Sequence, residues 1–184
     1  MPLLRNGRTA GAVSSIQALD QAVDEWFDRI RRPALDPVFY GLSSAADHGL
    51  LWLGLGSIRA AWQGDPGVAL RLGVSMGIES ALTNGPIKLC FRRVRPEHEA
   101  QPDGPLPYGM HRPISSSFPS GHAASAFTAA MLLRDSPVAP ALFVLAALVA
   151  TSRVYVKMHH ASDVLVGAAL GVTMGAVARR FLPL

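Results

Sequence analysis

The chain of 184 residues holds a single cysteine, few charges, and no long apolar core near its start. One cysteine, Cys90, excludes an internal disulfide and a cysteine-built metal cluster. Charged residues make up 16% of the chain, against roughly 25% in an average soluble domain. With 49% hydrophobic residues, that shortage points to a membrane or to an unusually buried bundle. The opening MPLLRNGRTAGAVSS carries two arginines but lacks the apolar segment of a signal peptide. No internal repeat or low-complexity tract is present. The charge that remains is biased, with a net +4 and a pI near 9.8, and suits anionic partners such as phosphate groups or acidic lipid. The basic residues are dispersed among apolar segments without an aromatic–basic platform, which argues against nucleic acid as a partner.

What is present reads as helix. Residues 15–31 place Ile16, Leu19, Val23, Trp26, Phe27 and Ile30 at spacings of three and four, with an acidic opposite face. This predicts an amphipathic surface helix after a flexible terminus, 1–14. Longer apolar runs follow at 49–63, 67–91, 121–134, 136–152 and 164–178, the last with Gly167, Gly171 and Gly175 at the helical spacing that lets membrane helices approach closely. Spanning takes about 20 mostly apolar residues, which several runs reach only by including polar flanks. The expectation is an all-α integral-membrane bundle of about five transmembrane helices plus the surface helix, with residues 15–184 as one domain. A soluble bundle with an apolar core is the alternative. Residues 95–120 carry six prolines and no apolar periodicity, so they read as a long functional loop.

Ionisable residues at the ends of apolar helices are functional candidates, and they gather in three places. KLCFRRVRPE supplies Lys88, Arg92, Arg93 and Arg95; FPSGHA supplies Ser120, Gly121 and His122; SRVYVKMHHASD supplies Arg153, Lys157, His159, His160 and Asp163. Helices alternating in direction bring all three to one side. Guanidinium and ammonium groups suit phosphate oxygens, and a helix opening at Ser120-Gly121 offers unpaired N–H groups to an anion. His159 and Asp163, four apart, share a helical face, so the carboxylate can fix the tautomer of a nucleophilic ring. His160, three residues from Asp163, satisfies the spacing as well. Glu79 could orient a cation or serve a bond within the bundle, and His111 and Arg112 could meet a headgroup or water. Arg92 and Arg93 read as interfacial anchors and Lys157 as a snorkelling lysine. The Glu97-His98-Glu99 cluster reads as solvated loop, and Cys90 as a small buried side chain.

Lys88, six residues, then Arg95-Pro96; Pro119-Ser120-Gly121-His122; Ser152-Arg153, five residues, His159, three residues, Asp163. Together these resemble the three-part signature of the type 2 phosphatidic acid phosphatase superfamily, which also includes vanadium haloperoxidases. The resemblance implies His159 as nucleophile in place of His160, Asp163 as its orienting partner, and His122 as acid for the leaving group. It implies Lys88, Arg95, Ser120, Gly121 and Arg153 as the phosphate-binding set, and neither metal nor cofactor. The expected protein is a multi-pass cell-membrane lipid phosphatase acting through a phosphohistidine. Its substrate would be a polyprenyl phosphate derivative such as decaprenylphosphoryl-phosphoribose, phosphatidylglycerophosphate or phosphatidic acid, with membrane lipids as surroundings. The amphipathic segment stands where the family usually has a first spanning helix. A haloperoxidase or a non-catalytic lipid-phosphate binding or transport protein are the alternatives; the first resembles larger soluble enzymes, and the second would not require all of His122, His159 and Asp163. Cations crowd the motif side, but phosphate binding needs the same residues, so their count does not assign an orientation.

Overall fold

Apolar periodicity becomes seven α-helices, without a strand, among the residues described by a computed structural model, 7–97, 105–111 and 113–182. They are α1 (Gly7–Ile30), α2 (Asp36–Ala45), α3 (Leu50–Gln63), α4 (Pro66–Leu82), α5 (Gly121–Leu132), α6 (Ala139–Tyr155) and α7 (Ala161–Phe181). The five apolar runs correspond to α3–α7. Local chemistry sets their ends: α3 stops at Gly64, φ 65°, and α4 opens with the Asp65 carboxylate accepting the Gly67 N–H at 2.8 Å and Pro66 in the first turn. Pro86, lacking an N–H, interrupts the ladder after α4. Thr83–Ile87 form a wider π-turn there, after which the chain presents Lys88.

α5 is the centre of the bundle. Ala123, Ala124, Ala126, Ala129 and Ala130 are fully buried, and α7 lies against them along its glycine seam. A Cβ on Gly171 would fall 2.2 Å from the Ala124 carbonyl oxygen, and one on Gly167 2.5 Å from that of Ser120. The Thr128 hydroxyl donates to the Gly171 carbonyl at 3.1 Å. This close packing, together with the Ser120 N–H donating to the Asp163 carbonyl at 3.0 Å, fixes the start of α5 against the start of α7.

Outside, the bundle is apolar: Ile58, Leu70, Ile78, Val144, Leu165 and Val177 are exposed. Among the described residues α7, with 21 residues, is the one helix long and apolar enough to span a membrane by itself, and α6 is a shorter apolar helix of 17. α5, with 12 residues, covers about 18 Å of a hydrocarbon core about 30 Å thick.

α1 departs from expectation in two ways. It begins at Gly7, so residues 7–14 are helical rather than an irregular tail. Its acidic stripe also turns inward. Asp20 is 4% exposed and meets Arg93, while Asp24 and Asp28 meet Lys157. Lys157 therefore forms ion pairs instead of snorkelling. Phe27 is buried beside the stripe, whereas Val13, Ile16, Leu19 and Trp26 face outward. The physical reason is complementarity, because this end of the bundle carries the excess of cations. Arg31 completes the attachment, donating to the Tyr155 carbonyl and lying over the Tyr155 ring, 5.1 Å from its centroid.

Candidate active site

The three motif segments meet at one end of a cavity of about 690 Å³. Lys88, Arg95, His122, Arg153 and His159 line this polar end, and Leu53, Gly73, Met76, Gly77 and Ala81 of α3 and α4 line its apolar side. Lys88, Arg95 and Arg153 are all buried, yet none forms an ion pair or hydrogen bond with a carboxylate of the described residues. Arg95 donates to the carbonyls of Met158 at 2.8 Å and Ser116 at 3.3 Å, and Arg153 donates to the Ser43 hydroxyl of α2. The Nε atoms of both arginines are buried without partners. Buried cations are stable only with compensation, and orphaned buried donors call for an acceptor. Burial, reinforced by the charges of Arg95 and Arg153, pulls the Lys88 ammonium down to about 8.

His159 lies among these cations. Arg95 Nη1 is 3.3 Å from its Nε2; a guanidinium can only donate, so Nε2 accepts and the ring proton sits on Nδ1. Nδ1 faces Asp163 Oδ2 across 3.6 Å, too far for a hydrogen bond, and has no other partner. Burial lowers the imidazole to about 3, the Arg153 and Arg95 charges act in the same sense, and Asp163 opposes them. The ring is therefore neutral, with a lone pair on Nε2, throughout the physiological range. His160 points elsewhere: its Nε2 lies 3.2 Å from the Val94 carbonyl, to which it donates.

His122, in the first turn of α5, also lines the cavity, and its Nε2 is 2.8 Å from Asp47 Oδ1. The hydrogen bond from His122 holds the Asp47 carboxyl below its usual range, so Asp47 stays ionised. Sequence reading missed Asp47. It sits in a short 3₁₀ turn, Asp47–Gly49, that turns sharply through His48 (φ 54°) and Gly49 (φ 73°), and no spacing relates it to the motifs. Asn84, also missed, lines the cavity; a Cβ on Gly121 would meet its Oδ1 at 2.9 Å, so a larger residue at 121 would push Asn84 aside.

The other candidates sit in varied surroundings. Ser120 does not line the cavity; it is fully buried, and its hydroxyl caps α5 by accepting the Ala123 N–H at 3.4 Å. Asp163 stands behind His159. Arg93, expected at the lipid interface, binds Asp163 Oδ1 at 2.6 Å, because the chain entering the long loop passes directly over the start of α7. Glu79 accepts from Thr83 at 2.8 Å and Ser125 at 2.6 Å, a bond between α4 and α5 rather than a grip on a cation. Glu97 is buried rather than solvated, its N–H on the Lys157 carbonyl; His98 and Glu99 lie outside the described residues, as does Arg112. Cys90 and His111 are exposed. Among the described residues no group of three or more His, Cys, Asp or Glu side chains is placed to hold a metal ion.

The family model described as the PAP2 superfamily matches residues 68–183. A decaprenylphosphoryl-5-phosphoribose phosphatase of Mycobacterium tuberculosis is 33% identical over 151 residues, covering 80% of this chain and 81% of that protein. Among solved structures, a transmembrane PAP2-type phosphatidylglycerolphosphate phosphatase from Bacillus subtilis superposes with a TM-score of 0.70 at 27% identity, over 91% of this chain and 86% of that one. LpxE of Aquifex aeolicus superposes with a TM-score of 0.69 at 26% identity, over 87% of this chain and 94% of its own.

Proposed function

Because the chain belongs to the PAP2 superfamily, we propose that it is a membrane lipid phosphatase whose reacting group is His159. The observation that carries this reading is the set of three buried cations, Lys88, Arg95 and Arg153, without a carboxylate of the described residues at hydrogen-bonding distance and gathered around a neutral imidazole. Phosphoryl transfer demands little beyond positioning and charge stabilisation, and these residues supply both.

Binding of a phosphate ester draws the Arg95 guanidinium from His159 Nε2 to a phosphoryl oxygen and frees the lone pair. Nε2 attacks phosphorus in line, the bond to the ester oxygen breaks, and His122 delivers a proton to that oxygen as the alcohol leaves. Asp163 balances the charge on the phosphorylated ring through Nδ1–H. A water then gives its proton to His122 while its oxygen bonds to phosphorus, the P–N bond breaks, and inorganic phosphate departs. Lys88, Arg95 and Arg153 hold the equatorial oxygens, with the Gly121 N–H at the start of α5. Ser120 contributes by keeping that helix end in place.

The apolar wall of α3 and α4 receives the first part of a lipid tail. A polyprenyl phosphate derivative such as decaprenylphosphoryl-phosphoribose is the preferred substrate, supported by the mycobacterial relative that matches four-fifths of the chain; phosphatidylglycerophosphate and phosphatidic acid come next. Residues 15–184 act as one phosphatase domain with 95–120 as its active-site loop. The outward apolar side chains of α3, α4, α6 and α7 suit a multi-pass arrangement in the cell membrane, and those of α1, Val13, Ile16, Leu19 and Trp26, suit the lipid interface.

The test is inorganic phosphate released in detergent from a panel comprising a polyprenyl-phosphoribose phosphate, phosphatidylglycerophosphate, phosphatidic acid and a polyprenyl diphosphate, with and without chelator. Release is expected to be fastest from the first and to persist in chelator. A chain that releases phosphate from none of them is not a lipid phosphatase.

A further inference from the structure

Arg93 lies outside the phosphate-binding set and the cavity end where the reaction runs, yet it is one of the most constrained side chains near the site. Its Nη1 donates to Asp163 Oδ1 at 2.6 Å and to the Ser162 hydroxyl at 2.7 Å, and its Nη2 donates to Asp20 Oδ2 of α1. Its backbone is clamped as well: its N–H donates to the Ser116 hydroxyl at 3.1 Å, and its carbonyl accepts the Ser117 N–H at 3.0 Å. Asp20, itself buried, accepts the Ser162 N–H at 2.8 Å and the Ser162 hydroxyl at 2.7 Å. A continuous chain of contacts thus runs from the N-terminal helix, through one guanidinium, to the carboxylate behind His159.

We infer that Asp20 and Arg93 are positioning residues for the reaction: anchored by Asp20, Arg93 holds Asp163 Oδ1 so that Oδ2 is presented to His159. The inference rests on the lipid-phosphatase reading only for its activity measurements. Asp163 is fully buried, and a buried carboxylate needs a cation. Arg93 is the cation that meets it, and the remaining oxygen is left for the His160 N–H at 3.0 Å and the facing Nδ1 of His159. Without Arg93, the negative charge of Asp163 falls on the imidazole, which then keeps a proton, and lacks its free lone pair, up to a higher pH. The charges facing this pair are Arg153 from α6, Lys88 and Arg95 from the segment after α4, and Arg93; Asp20 acts through Arg93. α1 accordingly does more than rest on the bundle, since its acidic stripe ends in the support of the nucleophile.

The experiment uses the full chain in detergent with short-chain phosphatidic acid, and isotope-labelled histidine observed by NMR. Arg93→Gln is expected to lower kcat by about tenfold or more with KM within about twofold, and to move the acid limb of kcat/KM to higher pH. Arg93→Lys is expected to recover part of the loss. Asp20→Asn is expected to lower kcat several-fold in the parent but by less than about twofold in the Arg93→Gln background, the non-additivity of residues acting through one contact. The His159 resonance of Arg93→Gln is expected to titrate at higher pH than the parent's. Equal losses from Asp20→Asn in both backgrounds, or an unmoved His159 titration in Arg93→Gln, overturn the inference. A parent that releases no phosphate from this or any other ester of the panel above overturns the lipid-phosphatase reading instead, while the titration, which needs no substrate, still decides the role of Arg93.

Discussion

Two histidine–carboxylate pairs flank the same cavity and are built in opposite ways. His159 and Asp163 have side chains 2% and 0% exposed and stand 3.6 Å apart. Their surroundings are rigid, with the carboxylate fixed by Arg93 and the His160 N–H and the ring nitrogen covered by Arg95. His122 and Asp47 are 19% and 47% exposed and joined by a bond of 2.8 Å, with the carboxylate on a tight turn at the mouth of the cavity. The difference matches the division of labour in the proposed reaction. A buried, neutral, cation-surrounded imidazole is a nucleophile that needs no deprotonation, whereas a half-open imidazole bonded to an ionised carboxylate can exchange protons with a leaving group and with water.

The largest effect that would break this comparison lies at the buried pair. His159→Ala is expected to lower the rate of phosphate release by at least about 10³-fold, with the fold intact, because no other group takes over covalent attack. His160→Ala should keep most of the activity, since its ring is turned to the Val94 carbonyl; the reverse pattern in a phosphate-release assay would exchange the two roles. At the open pair the effect depends on the substrate. His122→Ala should cost about 10²–10⁴-fold on an alkyl phosphate, the usual range for a general acid, and far less on p-nitrophenyl phosphate, whose phenolate departs without a proton. Equal losses on both esters would remove His122 from the acid role.

The smallest effect concerns the cations that the pairs share. Lys88, lowered to about 8, is charged below that pH and neutral above it, so it contributes phosphate affinity on the acid side and loses it as pH rises. kcat/KM, measured across pH 6–10, should therefore fall above pH ~8 in the parent. Lys88→Arg, which stays protonated, should flatten that limb. A parent profile that stays level to pH 10 would show that Lys88 does not hold the phosphate as an ammonium ion.

Much of the molecule was legible because its signals are local. Apolar periodicity marked α3–α7 to within a few residues, except that α4 stops at Leu82 and not near 91, and Gly167, Gly171 and Gly175 announced a close helix contact, found along α5. Motif spacing, read through the family resemblance, named Lys88, Arg95, His122, Arg153 and His159, all of which line one cavity. Other features were not legible because they depend on partners far away in the chain. Nothing near Arg93 predicts Asp20, 73 residues earlier, and nothing near His122 predicts Asp47, 75 residues earlier. Ser120 was assigned to phosphate by its motif, and its hydroxyl oxygen also accepts the Ala123 N–H as the N-cap of α5. The partners of the acidic face of α1 were not legible either, because amphipathicity is measured along one helix, whereas Arg93 and Lys157 reach it from elsewhere in the chain.

By itself, then, the sequence determined the helices, the small-residue seam and the identity of the groups that line the cavity, because each depends on the spacing of neighbours along the chain. Only the tertiary structure decided which charges are paired and which are left free. Asp20 and Asp163 are drawn to Arg93, Asp24 and Asp28 to Lys157, and Asp47 to His122, and among the described residues Lys88, Arg95 and Arg153 have no carboxylate in salt-bridge contact. The reason is that Coulomb energy and desolvation depend on distance and burial in space, quantities that spacing along the chain does not contain.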